Sequence, residues 1–212
     1  MGKAKLYLSP QRKIELSKET KEKYLKPQKY WEVDNPRILE LAQELKTPKA
    51  IYNFVVQNLS YDYKKVDSEV TRLGAVKALQ NQNQVICMEF TDLFIAISRA
   101  AGIPTRELNG YAYTVNEKLR PRSLAADLLH SWPEYWEEEK QAWIPVDPTW
   151  ENTTSGVDYF SKLDFNHFVF VIKGQDSEFP YPAGSYKKNG LKKDVEITFG
   201  NEWVHEPPVT NL

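Results

Sequence analysis

Residues 84–104 read QVICMEFTDLFIAISRAAGIP and contain Cys87, the only cysteine among the 212 residues of the chain. Apolar residues recur at helical spacing along one face of this stretch: Ile86, Phe90, Leu93, Phe94, Ile97 and Ala101. Gly102 is expected to end the helix at its C′ position, and Pro104 prevents the helix from resuming. The pattern therefore predicts a helix with a buried face and places Cys87 in or just before its first turn.

A thiol at the start of a helix has two features that favour nucleophilic chemistry. The unpaired N–H groups and the partial positive charge of a helix N-terminus stabilise a thiolate, the reactive form of cysteine. The same N–H groups can hold an oxyanion that develops during acyl transfer. A lone cysteine on a partly apolar helix is, however, often a buried and inert residue. Position alone leaves both interpretations of Cys87 open.

Two helical patterns precede this stretch. The first spans 34–46, begins with an Asp-Asn-Pro sequence suited to a helix N-terminus, and has an apolar face: Ile38, Leu39, Leu41 and Leu45. The second spans 47–63 and begins with Thr47 as its N-cap residue. Residues 64–84 are expected to form a polar connection between these helices and the helix that carries the cysteine.

After residue 104 the periodicity changes from that of a helix to that of a strand. Five segments are rich in aromatic and β-branched residues and are predicted to be β-strands: 105–115, 130–137, 142–147, 167–174 and 194–200. Helices that come first and strands that come later indicate an α+β fold with a mainly antiparallel sheet. Residues 1–34 are polar and aperiodic, so we expect an N-terminal arm or linker there and one domain over 35–212.

Composition excludes some classes of function and leaves the compartment open. The formal net charge of −1 gives no general attraction to nucleic acid or anionic lipid. No run of about 18 apolar residues is present, so no transmembrane segment is predicted. The N-terminus is too polar for a signal peptide. We therefore expect either a cytoplasmic protein or an extracytoplasmic domain of a longer exported parent, and the oligomeric state cannot be predicted.

A catalytic cysteine needs a base, and the base needs an orienting group. His130 begins a predicted strand, and Asp147 ends the next one 17 residues later. Antiparallel strands joined by a turn would place them side by side, with one imidazole nitrogen on the carboxylate and the other facing the thiol. His167 fits a structural histidine at a strand start, and His205 lies in the C-terminal tail. An Asp before Pro, such as Asp147, is also a common turn cap.

These motifs occur in an order that resembles the transglutaminase-like superfamily: CMEFTDLFIAISRAAGIPTRELNGY from Cys87, HSWPEYW from His130 and WIPVDPTW around Asp147. The resemblance covers roughly residues 50–175. It implies a papain-like transglutaminase core, with the cysteine at a helix N-terminus packed on a mainly antiparallel β-sheet that carries His and Asp. By position it implies a triad in which Cys87 is the nucleophile, His130 the general base and Asp147 the orienting group. Trp132 would wall the site and contact substrate, or fill the core.

The chemistry implied by the resemblance is cofactor-free acyl transfer on a protein or peptide substrate, through a thioester on Cys87. If water is the acceptor, the enzyme is a hydrolase, that is, a cysteine protease or amidase. If a lysine amine is the acceptor, it is a transglutaminase. The short chain, the lack of a Ca²⁺-loop pattern and the resemblance to small microbial members favour the hydrolase. Val85 stands where the family usually has Gly, which puts the oxyanion geometry in question.

Two other classes of function remain open on the sequence. The same fold could be a non-catalytic peptide- or carbohydrate-binding module whose groove is lined by tryptophans: Trp31, Trp136, Trp143, Trp150 and Trp203. The linked Cys, His and Asp motifs favour the enzyme, because a binding module does not need all three. A metal site made of Cys87, His130 and His167 is disfavoured, because close paired spacing such as Cys-x-x-Cys is missing.

Overall fold

In the described residues, five helices precede the first strand, and a sixth helix lies between the third and fourth strands. The computed structural model describes residues 15–65, 71–112, 130–154, 156–163 and 167–180. Within these ranges the helices are α1 Lys18–Lys23, α2 Pro36–Leu45, α3 Pro48–Asn58, α4 Ala75–Gln80, α5 Cys87–Ala100 and α6 Pro148–Thr153. The strands are β1 Thr105–Ala112, β2 His130–Glu137, β3 Ala142–Pro145 and β4 His167–Lys173. This order of elements confirms the α+β prediction.

The helix α5 lies at the centre of the fold. All of its residues except Met88 and Ala100 are buried. It contacts α2, α3, α4 and α6 as well as β1 and β2, and its apolar side chains join those of α2 and α3 in the main core. A helix that is covered on nearly all sides occupies the interior of a domain. Cys87, the first residue of α5, therefore lies inside the protein rather than on its surface.

The sheet is antiparallel, with the strand order β3-β2-β1-β4. His130 in β2 lies opposite Gly110 in β1, and His167 in β4 lies opposite Ala112. The register between β1 and β4 shifts at Gly110. Because β2 and β4 both run antiparallel to β1, their first residues lie at the same end of the sheet. This end carries both histidines.

A network of buried charged groups ties α5 to the sheet. Arg72 donates to Asp92 on α5 and, over 2.8 Å, to Glu107 on β1. Burial raises the pKa of Asp92 to about 7, although the charge and hydrogen bonds of Arg72 act in the opposite direction. Glu107 also accepts a hydrogen bond of 3.2 Å from the hydroxyl of Ser131, the residue after His130. The network thus links the helix and the strand whose first residues are Cys87 and His130.

Four features differ from the expectations drawn from the sequence. The helix predicted over 47–63 ends at Asn58. The polar connection predicted over 64–84 contains α4, which buries only Ala75 and Ala78 and so gives a weak hydrophobic pattern. The strand predicted over 142–147 ends at Pro145, and the Asp-Pro-Thr sequence begins α6 instead, with Asp147 as its N-cap residue. Leu39 was placed on the buried face of α2 but is 41% exposed, because that face is centred on the buried Ile38, Leu41 and Ala42.

Two predictions about the ends of the chain stay open. The strand predicted over 194–200, together with Trp203 and His205, lies outside the described residues. The boundary between an arm and a domain at residue 34 stays a prediction. Trp31, on the arm side of that boundary, is fully buried and donates from Nε1 to Asp92 over 2.9 Å. In the described ranges, no helix is long and apolar enough to cross a membrane.

Candidate active site

Cys87 occupies the first position of α5, directly after the N-cap residue Ile86. It is a free thiol and is 9% exposed. Two hydrogen bonds hold this helix end: Glu89 accepts from the N–H of Ile86 over 2.9 Å, and the Thr91 hydroxyl donates to the Cys87 carbonyl over 2.9 Å. The first N–H groups of a helix have no acceptor within the helix. The thiol therefore lies at a rigid helix end that favours negative charge.

His130 is the first residue of β2, and its ring interacts with both Asp147 and Cys87. The Nε2 atom lies 2.6 Å from Oδ2 of Asp147. Burial lowers the pKa of His130, but the charge and hydrogen bond of Asp147, followed by the interaction with Cys87, outweigh burial and raise the pKa to about 9. His130 is therefore an imidazolium at neutral pH. Because Nε2 is used for Asp147, Nδ1 is the nitrogen left for the thiol.

Asp147 is fully buried between β3 and α6. Burial raises the pKa of this carboxyl, but His130 and then His167 outweigh burial and lower the pKa to about 2. Its Oδ1 atom caps α6 by accepting from the N–H of Trp150 over 2.9 Å. The Asp-Pro-Thr sequence produces this geometry, since Asp is a preferred N-cap residue and Pro suits the first helical position.

Trp132 covers one face of the His130 ring. The two residues are two apart on β2 and so lie on the same side of the strand. Their rings are stacked, with centroids 5.4 Å apart and planes 22° apart. Trp132 is only 1% exposed, and it keeps water from this face of the imidazole, which strengthens the nearby charge pair. Its contact with a substrate stays a prediction.

The structure brings together the four side chains that the sequence singled out, and it adds two that sequence reasoning missed as site residues. The Nε2 atom of His167 lies 3.0 Å from Oδ2 of Asp147, the same oxygen that accepts from His130. Burial raises the pKa of Tyr61, and the charges of Cys87 and, more weakly, Asp147 raise it further. His167 was considered only as a structural residue or a metal ligand. Nothing in the sequence around Tyr61 indicates that it lies beside the cysteine.

A metal site fits this geometry poorly. The described residues contain one group that could bind a metal, formed by His130, Asp147 and His167, whose candidate ligand atoms lie within 4.8 Å of one another. It differs from the set that was weighed and disfavoured on the sequence, because it contains Asp147 and lacks Cys87. The N···O distances of 2.6 and 3.0 Å are hydrogen-bond lengths. Two ligands of one tetrahedral zinc ion, each about 2.1 Å from the metal, lie about 3.4 Å apart.

The tryptophans that were considered as a binding groove are buried. The described members of that set are 8% exposed or less: Trp31, Trp136, Trp143 and Trp150. Two surface cavities, of about 320 and 380 Å³, are lined by other residues. The described residues thus contain no open tryptophan groove.

The residues just before Cys87 differ in burial. The side chain of Val85 is fully buried and lies in the main core. Gln82 and Gln84, which lie close to Cys87 in the sequence, are exposed.

A comparison with protein families identifies the domain that contains this site. The family model described as the transglutaminase-like superfamily matches residues 36–148, which is more than half of the chain. A protein-glutamine gamma-glutamyltransferase of Pseudomonas aeruginosa is 30% identical over 131 residues. The alignment covers 55% of this chain and 19% of that protein. The chain thus spans about a fifth of the length of this curated relative.

Two bacterial proteins are among the solved structures to which the chain is similar. One is a candidate cysteine protease from Cytophaga hutchinsonii, with a TM-score of 0.48 and 24% identity, covering 65% of this chain and 44% of that one. The other is the periplasmic domain of TgpA from Pseudomonas aeruginosa bound to ethylmercury, with a TM-score of 0.46 and 25% identity. That match covers 66% of this chain and 51% of the TgpA domain.

Proposed function

The chain belongs to the transglutaminase-like superfamily, and on that premise we propose that it is a thiol-dependent acyl-transfer enzyme with Cys87 as its nucleophile. Membership of this superfamily supports cysteine-based acyl-transfer or protease chemistry in general. The observation that carries the proposal is the 2.6 Å contact between Nε2 of His130 and the buried carboxylate of Asp147, which leaves Nδ1 for the only thiol of the chain. Although burial lowers the pKa of His130, the contacts with Asp147 and Cys87 raise it to about 9. A protonated imidazole beside a thiol favours a thiolate–imidazolium pair.

In the proposed mechanism, the Cys87 thiolate attacks the carbonyl carbon of a peptide bond or carboxamide. The carbonyl oxygen becomes an oxyanion, and the N–H groups at the start of α5 are positioned to stabilise it. His130 then gives a proton from Nδ1 to the leaving amine, the C–N bond breaks, and a thioester remains on Cys87. Asp147 keeps the His130 ring oriented throughout by accepting from Nε2–H.

The second half of the reaction returns the enzyme to its starting state. His130, now neutral, takes a proton from the incoming acceptor, which attacks the thioester carbon. The C–S bond breaks, and the thiolate–imidazolium pair is restored. Water as the acceptor gives a protease or amidase, and a primary amine gives a transglutaminase. The Pseudomonas relative is a protein-glutamine gamma-glutamyltransferase, which supports a glutamine carboxamide as one substrate class to test.

The first experiment measures the rate of Cys87 alkylation by iodoacetamide as a function of pH. A thiolate–imidazolium pair gives a reactive plateau that extends well below the usual thiol pKa of about 8.5. His130→Ala should abolish this plateau. Lys140→Ala, an exposed change in the turn between β2 and β3, should retain it. Because the chain has one cysteine, mass spectrometry of the adduct reports on this site alone.

The outcome decides between an enzyme and an inert domain. A plateau in the native protein that is lost in His130→Ala supports the proposal, and a glutamine peptide with and without a primary amine then identifies the acceptor. Cys87→Ala should also lose labelling by a thiol-directed peptide electrophile while keeping its fold. A native profile like that of a free thiol would refute the enzyme. A Cys87→Ala variant that unfolds would indicate a core cysteine.

A further inference from the structure

A β-bulge places His167 on the face of the sheet that carries His130. Up to Asn109 the strands β1 and β4 pair in one register, and from Gly110 onward the register is shifted by one residue. Ala112 therefore pairs with His167, while Gly110 pairs with His130 on the other side of β1. Paired residues share a face of the sheet, and so do residues two apart. Without the bulge, the side chain of His167 would point to the opposite face.

The bulge depends on a glycine. A Cβ atom added at Gly110 would lie 1.8 Å from the carbonyl oxygen of Phe168, the residue that follows His167. No side chain can occupy that space, because the neighbouring atom belongs to the backbone of β4. The position of His167 is therefore built into the sheet by a close approach of two strands, rather than left to a loop.

The two imidazole rings meet at one carboxylate oxygen. Oδ2 of Asp147 lies 2.6 Å from Nε2 of His130 and 3.0 Å from Nε2 of His167. The carboxylate is ionised and can only accept, so both Nε2 atoms carry a hydrogen. With the N–H of Trp150 on Oδ1, three donors hold this carboxylate in one orientation.

We propose that His167 is a positioning residue, which holds the carboxylate of Asp147 so that the His130 ring faces Cys87. The proposal rests on the proposed function, since the orientation of His130 matters to the reaction only if it serves the thiol. His167 is itself held tightly: its ring centroid lies 4.5 Å from that of Trp150 and 5.0 Å from that of Trp132, and its side chain is 3% exposed. Without its N–H, the carboxylate gains rotational freedom and the His130 ring follows it.

Other titratable groups face the same cluster and must be kept constant in any test. Tyr52 on α3 donates to the backbone carbonyl of Asp147 over 3.0 Å and to Glu151 on α6 over 2.8 Å. Tyr61 lies close enough to Cys87 and Asp147 for their charges to raise its pKa. Asp158 adds to the negative charge around Tyr52. A comparison between variants at His167 leaves all of these groups in place.

Two substitutions separate the hydrogen bond of His167 from its packing. His167→Phe keeps a flat ring between the tryptophans and removes the N–H donor, while His167→Gln offers an amide N–H near the position of Nε2. The readout is the pH at which the Cys87 alkylation rate reaches its plateau. We expect His167→Phe to move this acid limb upward by about one pH unit, a tenfold loss of rate at a fixed lower pH, as for one hydrogen bond to a charged group. His167→Gln should restore most of the alkylation rate that His167→Phe loses at this lower pH.

The outcomes distinguish this proposal from the proposed function. If the native protein shows the plateau and His167→Phe leaves its acid limb unchanged, the positioning role is refuted and the enzyme proposal stands. If the native protein shows no plateau, both are refuted. Should His167→Phe fail to fold, ¹⁵N NMR of the native protein still decides, because the proposal requires a proton on Nε2 of His167 at neutral pH. An unprotonated Nε2 would overturn it.

Discussion

The carboxylate of Asp147 is fully buried, and its pKa is nevertheless lowered to about 2. Burial alone would neutralise a carboxyl group, so its ionised form must be stabilised by its hydrogen-bond donors. His130 contributes most of this stabilisation, and in return its own pKa rises to about 9. At the scale of single residues, the protonation states of these two groups therefore depend on each other.

Asp147→Asn should lower the pKa of His130 by roughly two pH units, because the side chain keeps its size but loses its charge. The native His130 is protonated up to about pH 9, so in the variant the proton is lost at lower pH. Asn is also a good N-cap residue, and α6 should persist. The measurement is an NMR titration of the imidazole signals, which are few because the chain has three histidines.

Asp158→Asn provides the matched control for this titration. Asp158 lies in the same part of the chain and accepts from the backbone N–H groups of Phe160 and Ser161, but no hydrogen bond to His130 is found for it in the described residues. The titration midpoint of His130 should stay near pH 9 in this variant. An unchanged midpoint in Asp147→Asn as well would exclude Asp147 as the source of the raised pKa.

At the scale of elements, two features set the site geometry: the register shift between β1 and β4, and the charged network under α5. The register shift turns the side chain of His167 toward the carboxylate of Asp147. The charged network joins α5, which carries Cys87, to β2, which carries His130. Both use residues with no direct part in the proposed chemistry. Substitutions in either feature should therefore change the free energy of unfolding, while Cys87, His130 and Asp147 remain the reacting groups of the proposed site.

Gly110→Ala should destabilise the protein by about 3 kcal/mol, because the new Cβ would meet the backbone of β4. Gly102→Ala is the matched control: its φ of +81° is unfavourable for alanine, but no atom of the described residues lies within 4 Å of the added Cβ. It should cost about 1 kcal/mol. Urea denaturation measures both changes. Equal losses would mean that β4 can move away from Gly110 without penalty.

Arg72→Met should cost about 3–5 kcal/mol of unfolding free energy, since it leaves the buried carboxylate of Asp92 without its cation. Glu107 would keep Lys173, 3.6 Å away, as its remaining cation among the described residues. The control is Arg37→Met, which breaks an exposed ion pair with Glu40. Exposed pairs of this kind contribute about 0.5 kcal/mol or less. If the two variants lose similar stability in urea denaturation, the buried network does not hold α5 to the sheet as inferred.

At the scale of the whole molecule, the site is assembled from distant parts of the chain around one central helix. The segment before α2 also reaches this helix, because Trp31 is fully buried, donates to Asp92 and lies 4.3 Å beneath the guanidinium of Arg99. A buried side chain of this size contributes several kcal/mol to stability. The residues before position 34 thus bear on the integrity of the core.

A chain that begins at residue 35 should lose about 3 kcal/mol or more of unfolding free energy, because Trp31 is removed from beneath α5. Trp31→Phe in the full chain separates this packing from the loss of the segment, and should cost about 1–2 kcal/mol for the missing N–H donor to Asp92. Chemical denaturation followed by circular dichroism measures both. A shortened chain with native stability would support an independent domain from residue 35.

The sequence predicted α5 and the contact between His130 and Asp147, because both depend on local signals, although Asp147 caps α6 rather than ending β3. Helical spacing, a Gly stop and an Asp-Pro-Thr motif are all short-range. His167 could not be assigned in the same way, since its direction depends on a one-residue register shift against β1. Such a shift follows from pairing between distant strands and leaves no periodic signal of its own. Tyr61 was missed for the same reason, as only tertiary packing brings it to Cys87.

Because Asp147 caps α6, the exchange of one backbone amide proton reports on the hydrogen bonds of the site. The N–H of Trp150 is held by Oδ1 of the same carboxylate whose Oδ2 accepts from both histidines. An opening that releases this proton to solvent breaks one of the three hydrogen bonds that hold the carboxylate between the imidazole rings. The protection of a single amide against deuterium thus reports how often the support of the carboxylate opens, in a resting protein and without any substrate.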